Sequence, residues 1–341
     1  MASSDIDLYS LQGIKGQGLS EQERAVLDIL GLAMRTPTSP EAMVDAARQL
    51  DAKCPPLEEE IEFNTYVSDV WIMVVSIASS YDVSDEVQGY LIDILKALEQ
   101  QPKNLLRINI VEGDCRDYKP QIAMHIYWDF EDPTYILPEE NGILPGDLVG
   151  WRKLNSFYAR LTEAKIFEPS YQVMEAMNRA LEEDISALNH PGLEECRVQI
   201  ACEWMERCAG QMLLWALENH GNNKDGSVIR SAWQYENGAL YKGPSAMCLQ
   251  RWGFWIQRFQ VLGKKDSGLP EETRKAALEA ARYMKTVEGS AGHTSASGAS
   301  EELSEEPSQV PLKEPSDKPK TGTSGKPVEG TLNEPKAKGE V

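Results

Sequence analysis

Two arginines and two tryptophans pose the first chemical question. In the segment LYKGPSAMCLQRWGFWIQRF, residues 240–259, Arg251 and Arg258 stand seven apart, with Trp252 and Trp255 between them. A guanidinium beside indole rings suits a ligand pocket in which Arg251 or Arg258 holds an anionic group. The same spacing also describes one face of a helix. At about 100° per residue, Cys248, Trp252, Trp255, Phe259 and Leu262 share a stripe. Leu249 and Ile256 widen it, and Gln250, Gly253 and Gln257 lie opposite. The arginines then sit at the edge of the stripe, with their methylenes on apolar surface and their heads turned outward. If Phe254 is buried as well, both guanidiniums need carboxylate or carbonyl partners. The wall of a core and the wall of a pocket both stay open, and Arg251, Arg258, Trp252 and Trp255 are the candidate binding residues.

Other chemistry is sparse. Cys196, Cys202 and Cys208 are six apart, which points them about 120° from one another around a helix, so they cannot converge on one ion and read as small buried hydrophobes. Cys54 and Cys115 fall in loops, and no CxxC occurs. The histidines are His125, His190, His220 and His293, with no HExxH and no ExxH pair. His125 would share a strand face with Tyr127 and Asp129 in an acid–base cluster; a surface strand or helix end fits as well. Gly13, Gly16 and Gly18 precede a capped helix, but without a preceding strand or a Lys-Ser/Thr pair they make no P-loop. No GxSxG occurs in the folded part, and no DDxxD-like pattern supports a prenyl-diphosphate cyclase. The runs Glu58-Glu59-Glu60 and Glu182-Glu183-Asp184 read as solvated helix faces. The expectation is no metal and no cofactor.

Composition narrows the partners. Among 341 residues the formal charge is −20, which opposes nucleic acid or an anionic membrane as the main partner. The longest apolar run, 70–78, is about half of what a spanning helix needs. The first ten residues, MASSDIDLYS, have neither the basic nor the apolar region of a secretory signal, and no Asn-x-Ser/Thr acceptor occurs. Six scattered cysteines fit free thiols in a reducing compartment. The location expected is the cytoplasm, with the nucleus left open.

These residues need elements to position them, and the pattern is helical nearly throughout. Ser20 with Glu23 forms a capping box. Ser39-Pro40 opens a second helix, Pro55-Pro56 breaks the chain before a third, and Ser84 caps a fourth. Further helices are expected over 148–164, 170–184, 193–219 and 270–287. Gly210 inside the longest costs about 1 kcal/mol relative to Ala and suggests a second backbone passing close. Residues 103–145 are ambiguous: 104–128 reads as a short hairpin around Gly113-Asp114, or with its second half as a helix opened by Pro120. The expected fold is mainly α, a single multi-helix domain of about nine helices over 19–288, after a flexible N-terminus, 1–18. From Gly289 the chain lacks aromatics and is rich in Pro, Ser and Gly, so 289–341 reads as a disordered acidic tail. Its prolines 307, 311, 315 and 319 recur every four residues, off the three-residue polyproline turn.

Three segments resemble a family of α-helical proteins from filamentous fungi catalogued as a domain of unknown function. WRKLNSFYARL (151–161) resembles its W-x-x-L-N-x-F-x-A-x-L helix, and ACEWMERCAGQML (201–213) its A-x-x-W-[IML]-x-x-x-x-G helix. Residues 240–259 resemble its closing G-P…R-W-x-F-W-x-x-R-F signature, and DVWIMVVSIAS (69–79) an earlier helix. The likeness spans roughly 19–262 and departs at 107–118, where RDYKP replaces a Trp before an LP turn. It implies one helical domain and carries no activity or site residue. Two functions remain: a non-enzymatic interaction or scaffold module meeting unidentified protein partners, or a small-molecule binder or enzyme with a pocket at Arg251, Arg258, Trp252 and Trp255.

Overall fold

The computed structural model describes residues 18–35, 39–80, 83–103, 105, 143–167, 170–184, 190, 192–220 and 236–301. Residues 1–17, His125, the 107–118 departure, nearly all of 104–128, and the chain beyond Glu301 lie outside them. Among the described residues nine α-helices appear, and the only β pairing is an isolated bridge, His220 with Met247. The fold is mainly α, as the periodicity predicts. The helical unit spans Met1–Thr294.

The expected caps act unevenly. Helix α1 (Glu21–Arg35) opens with both capping-box bonds: Glu23 N–H donates to Ser20 Oγ at 3.1 Å and Ser20 N–H to Glu23 Oε2 at 2.7 Å. Helix α2 (Pro40–Lys53) starts with Pro at its first turn, but the Ser39 hydroxyl donates to the Glu41 carboxylate instead of capping. Helix α3 (Glu60–Ser79) comes after the Pro55-Pro56 break, and α4 (Asp85–Glu99) is capped by Ser84 Oγ, which accepts from Val87 N–H. Helix α5 (Pro145–Glu163), α6 (Ser170–Met177), α7 (Leu193–Leu217), α8 (Leu249–Leu262) and α9 (Glu271–Glu301) complete the unit. Helix α9 runs past Val287 and Gly289 to Glu301. No proline interrupts it before Pro307, and helical hydrogen bonds do not require a buried face.

Helix α7 is the axis of the second half. It packs along α5, and α6 and α8 lie against it. In the first half α1 packs on α2 and α3, α2 on α4, and α3 on α5. Helix α3 is long and apolar enough to cross a membrane by length and composition, beyond what the 70–78 run suggests. Its apolar side chains, Trp71, Val74 and Ile77 among them, are buried against the neighbouring helices. Polar side chains fix the helix registers. Trp204 Nε1 donates to Asn155 Oδ1 at 3.1 Å, joining α7 to α5. Buried Gln88 donates to Ala78 O and Lys153 O, and accepts from Arg160 Nε, joining α4, α3 and α5.

The side chains that carry the family resemblance are mostly core. Trp151, Leu154, Asn155, Phe157, Ala159 and Leu161 are buried on α5, as are Ala201, Trp204 and Met205 on α7. Gly210 is the exception on α7. It is exposed, and a Cβ there would meet nothing within 4 Å, so the close backbone that the sequence suggests is not what the glycine serves.

Candidate functional site

The site begins where α6 stops being an α-helix. Residues Asn178–Glu182 widen into a π turn, and Glu183 N–H reaches back five residues to Asn178 O at 3.2 Å. An extra residue in a turn rotates the residues after it, and π turns are rare. Here the widened turn directs Glu182 inward, so that the carboxylate is fully buried. A solvated acidic face at 182–184 is therefore half wrong: its first member points into the core. That expectation rests on the charge run alone, which does not say which member a π turn carries inward.

Four donors converge on Glu182. Oε1 accepts from Arg251 Nε at 2.6 Å and Trp255 Nε1 at 2.7 Å. Oε2 accepts from Arg251 Nη2 at 2.8 Å and from the backbone N–H of Gly238 at 3.2 Å. The Glu182 carbonyl accepts from Leu240 N–H at 2.7 Å. Arg251 is as buried as its partner, donates again to Glu236 O at 2.9 Å, and lies 5.1 Å from the Tyr241 ring centroid and 5.9 Å from that of Trp255. Ionised partners, fork geometry and flanking rings make this a strong class of hydrogen-bonded pair.

The loop before α8 is shaped to close over that pair. A Cβ on Gly238 would sit 2.5 Å from the Glu182 carbonyl oxygen, so only glycine fits there, and one on Gly243 would sit 2.2 Å from the Tyr241 hydroxyl and would displace that ring. Asn237 Nδ2 donates to Gly243 O, and Asn178 Nδ2 to Glu236 O. Tyr241 packs on Phe254, and its hydroxyl lies 3.6 Å from Cys248 Sγ. Burial pushes the Tyr241 phenol well above its ordinary range.

Arg258, one helical line further on, donates from Nε to Leu181 O at 2.9 Å and so satisfies a carbonyl at the C-terminal end of the π turn, where a cation is also favoured by the helix dipole. Burial lowers its pKa, with Asp184 acting in the opposite direction. Around the rim Glu183 pairs with Arg179 and with buried Arg197, the latter at 3.1 Å.

Three of the four candidate residues thus meet at the π turn: Arg251 and Trp255 on the Glu182 carboxylate, Arg258 on the carbonyl before it. Trp252 is buried on the same helix, and its Nε1 has no acceptor among the described residues. The carboxylate and carbonyl partners expected if Phe254 is buried are found although Phe254 is only half-buried, and Arg251 is wholly buried instead of turning its head outward. What the sequence misses is their identity, because Glu182 lies 69 residues before Arg251. Leu249, placed on the inner face by phase, is 49 % exposed because it opens the helix before the packed turn begins. The three α7 cysteines are buried, with Cys196 and Cys208 donating to Leu148 O and Ala159 O. Chemically, a carboxylate with four donors has its lone pairs filled, and Arg251 is committed to it. While the pair is closed, neither group is free for a ligand.

Residues 71–259, from within α3 to within α8, match the family model described as a protein of unknown function, DUF3632. No curated protein and no solved structure matches the chain.

Proposed function

This chain belongs to the DUF3632 family of proteins of unknown function, and from that premise we infer that it works by contact, as a helical interaction module. The observation that carries this reading is the Glu182–Arg251 pair. The arginine best suited to an anionic ligand is used to fasten a loop to a helix end, so the most elaborate polar cluster among the described residues is a joint. A second observation supports a place for that contact. On α7, Gly210, Leu214 and Leu217 lie on one exposed line, with the leucines 51 % and 53 % exposed. A glycine in a helix interior costs about 1 kcal/mol relative to alanine, and no described residue inside the unit uses the space above it. A partner backbone passing there would. The reading is tested by affinity capture with the full chain and with Leu214→Asp/Leu217→Asp. Partners retained by the parent and lost by the variant support it; identical partner sets would refute it.

A small-molecule reading has one observation in its favour. The Arg258 Nη atoms have no hydrogen-bond partner among the described residues, although burial disfavours their charge. An anionic metabolite reaching them would take the position the sequence assigns to a ligand. Thermal-shift screening against anionic metabolites separates the two: a shift abolished by Arg258→Gln favours the ligand, and the absence of any shift favours the contact module.

A further inference from the structure

We propose that the π turn Asn178–Glu182 and the strap 236–248 form a single two-state latch that opens without unfolding the helical unit. The π turn is held from outside itself. Its side-chain amide at Asn178, its carbonyls at Leu181 and Glu182, and the Glu182 carboxylate are all engaged by residues between Glu236 and Arg258. A π turn is the less favoured form of a helix end. Once those partners leave, the backbone relaxes to α geometry, the end of the helix rotates, and Glu182 is carried off its donors. Among the described residues, what else holds the strap is the bridge between Met247 and His220, the buried side chains of Tyr241 and of 246–248, and bonds within itself.

The opening is cooperative because one carboxylate carries the ties to Gly238, Arg251 and Trp255 together, beside the separate backbone and amide bonds at Asn178, Leu181 and Glu182. Gly238 N–H, Arg251 and Trp255 share Glu182, so none can be released while leaving the others in their present geometry. An intermediate with the pair half-broken leaves a buried, uncompensated charge, which is strongly disfavoured. The intact pair is, by contrast, a weak contributor relative to an apolar filling of the same space. The high cost of partial opening is what makes these ties break together. The open form places Arg251 and Glu182 in solvent, where Arg251 can meet an external anion. The latch is independent of the contact surface: it involves α6 and the strap, and survives if Leu214 and Leu217 bind nothing.

The test is native-state hydrogen exchange on the full chain in low denaturant, comparing the strap amides of Gly238, Leu240 and Met247 with the buried turns of α7. The strap amides should exchange as a group, through an opening that depends little on denaturant and is faster than global unfolding. Glu182→Gln should speed that group by about a hundredfold or more, the scale expected for orphaning a buried charge, and α7 far less. The proposal is overturned if, in the parent chain, strap and α7 amides exchange only together, whether or not the variant folds. It is also overturned if Glu182→Gln accelerates both groups by the same factor.

Discussion

At the scale of single residues the Glu182–Arg251 pair makes the sharpest demand. Replacing Glu182 by Ala leaves Arg251 buried without its carboxylate and should lower unfolding free energy by ~3–5 kcal/mol, read from urea denaturation. Glu182→Leu with Arg251→Met removes both charges and keeps the volume, so it should recover part of that loss, the rest being the cost of the Trp255 and Gly238 N–H donors left without an acceptor. If the double variant is as unstable as Glu182→Ala, the charge argument fails and packing is at stake. Gly238 is constrained by the same carboxylate residue from the backbone side, and Gly238→Ala should cost ~1–3 kcal/mol through overpacking against a carbonyl that cannot move aside. Neither residue announces itself in the sequence. Arg251 does, because an arginine among tryptophans at helical spacing has to find an acceptor. The acceptor lies in an acidic run whose neighbours, Glu183 and Asp184, are partly or fully in solvent, and nothing in the composition separates one glutamate from the next.

At the scale of elements the helices are legible because apolar side chains recur with the helix period and because caps and prolines mark the ends. The capping box of α1 and the Ser84 cap of α4 occur as written in the residues. The π turn is not legible, since it breaks the period used to read it and exists through contacts with α8 and the strap. Helix α7 has consequences for pH. Burial pushes the thiols of Cys202 and Cys208 up to about 12, and that of Cys54 at the end of α2 up to about 11, from an ordinary 9.0. A group whose pKa is higher folded than unfolded stabilises the fold below its unfolded value and loses that contribution as pH rises through the folded one. The denaturation midpoint should therefore fall progressively above about pH 9, and Cys202→Ala/Cys208→Ala should flatten part of the fall while destabilising the chain at pH 7 through lost packing. A thiol reagent at pH 8 should find these cysteines slow unless the protein is unfolded. On the exposed side of the same helix, Gly210→Ala should raise stability by ~0.5–1 kcal/mol. If that variant also loses a captured partner, the glycine is kept for the contact rather than for the fold.

At the scale of the whole molecule the question is which part of the chain the fold needs. The buried side chains of α9, namely Thr273, Ala277, Ala280, Ala281 and Met284, end before Gly289, and Val287 and Ala291 add only partial packing beyond them. The helix itself continues to Glu301, across the composition change at Gly289. Composition and helicity answer different questions there. The first reports whether a segment has apolar surface to bury, and the second whether anything stops the backbone from hydrogen-bonding along its own axis. Stability follows burial, so a chain ending at Thr294, the limit of the helical unit, should unfold at the same midpoint as the full 341 residues. A chain ending before Ala277 removes the buried side chains of Ala277, Ala280, Ala281 and Met284 from the unit and should unfold markedly earlier, because the apolar surface left bare is worth ~25 cal/mol per Å². Differential scanning calorimetry on the three lengths decides the matter. A midpoint that drops on removal of 295–341 alone would assign those residues a part in holding the fold that their composition denies them.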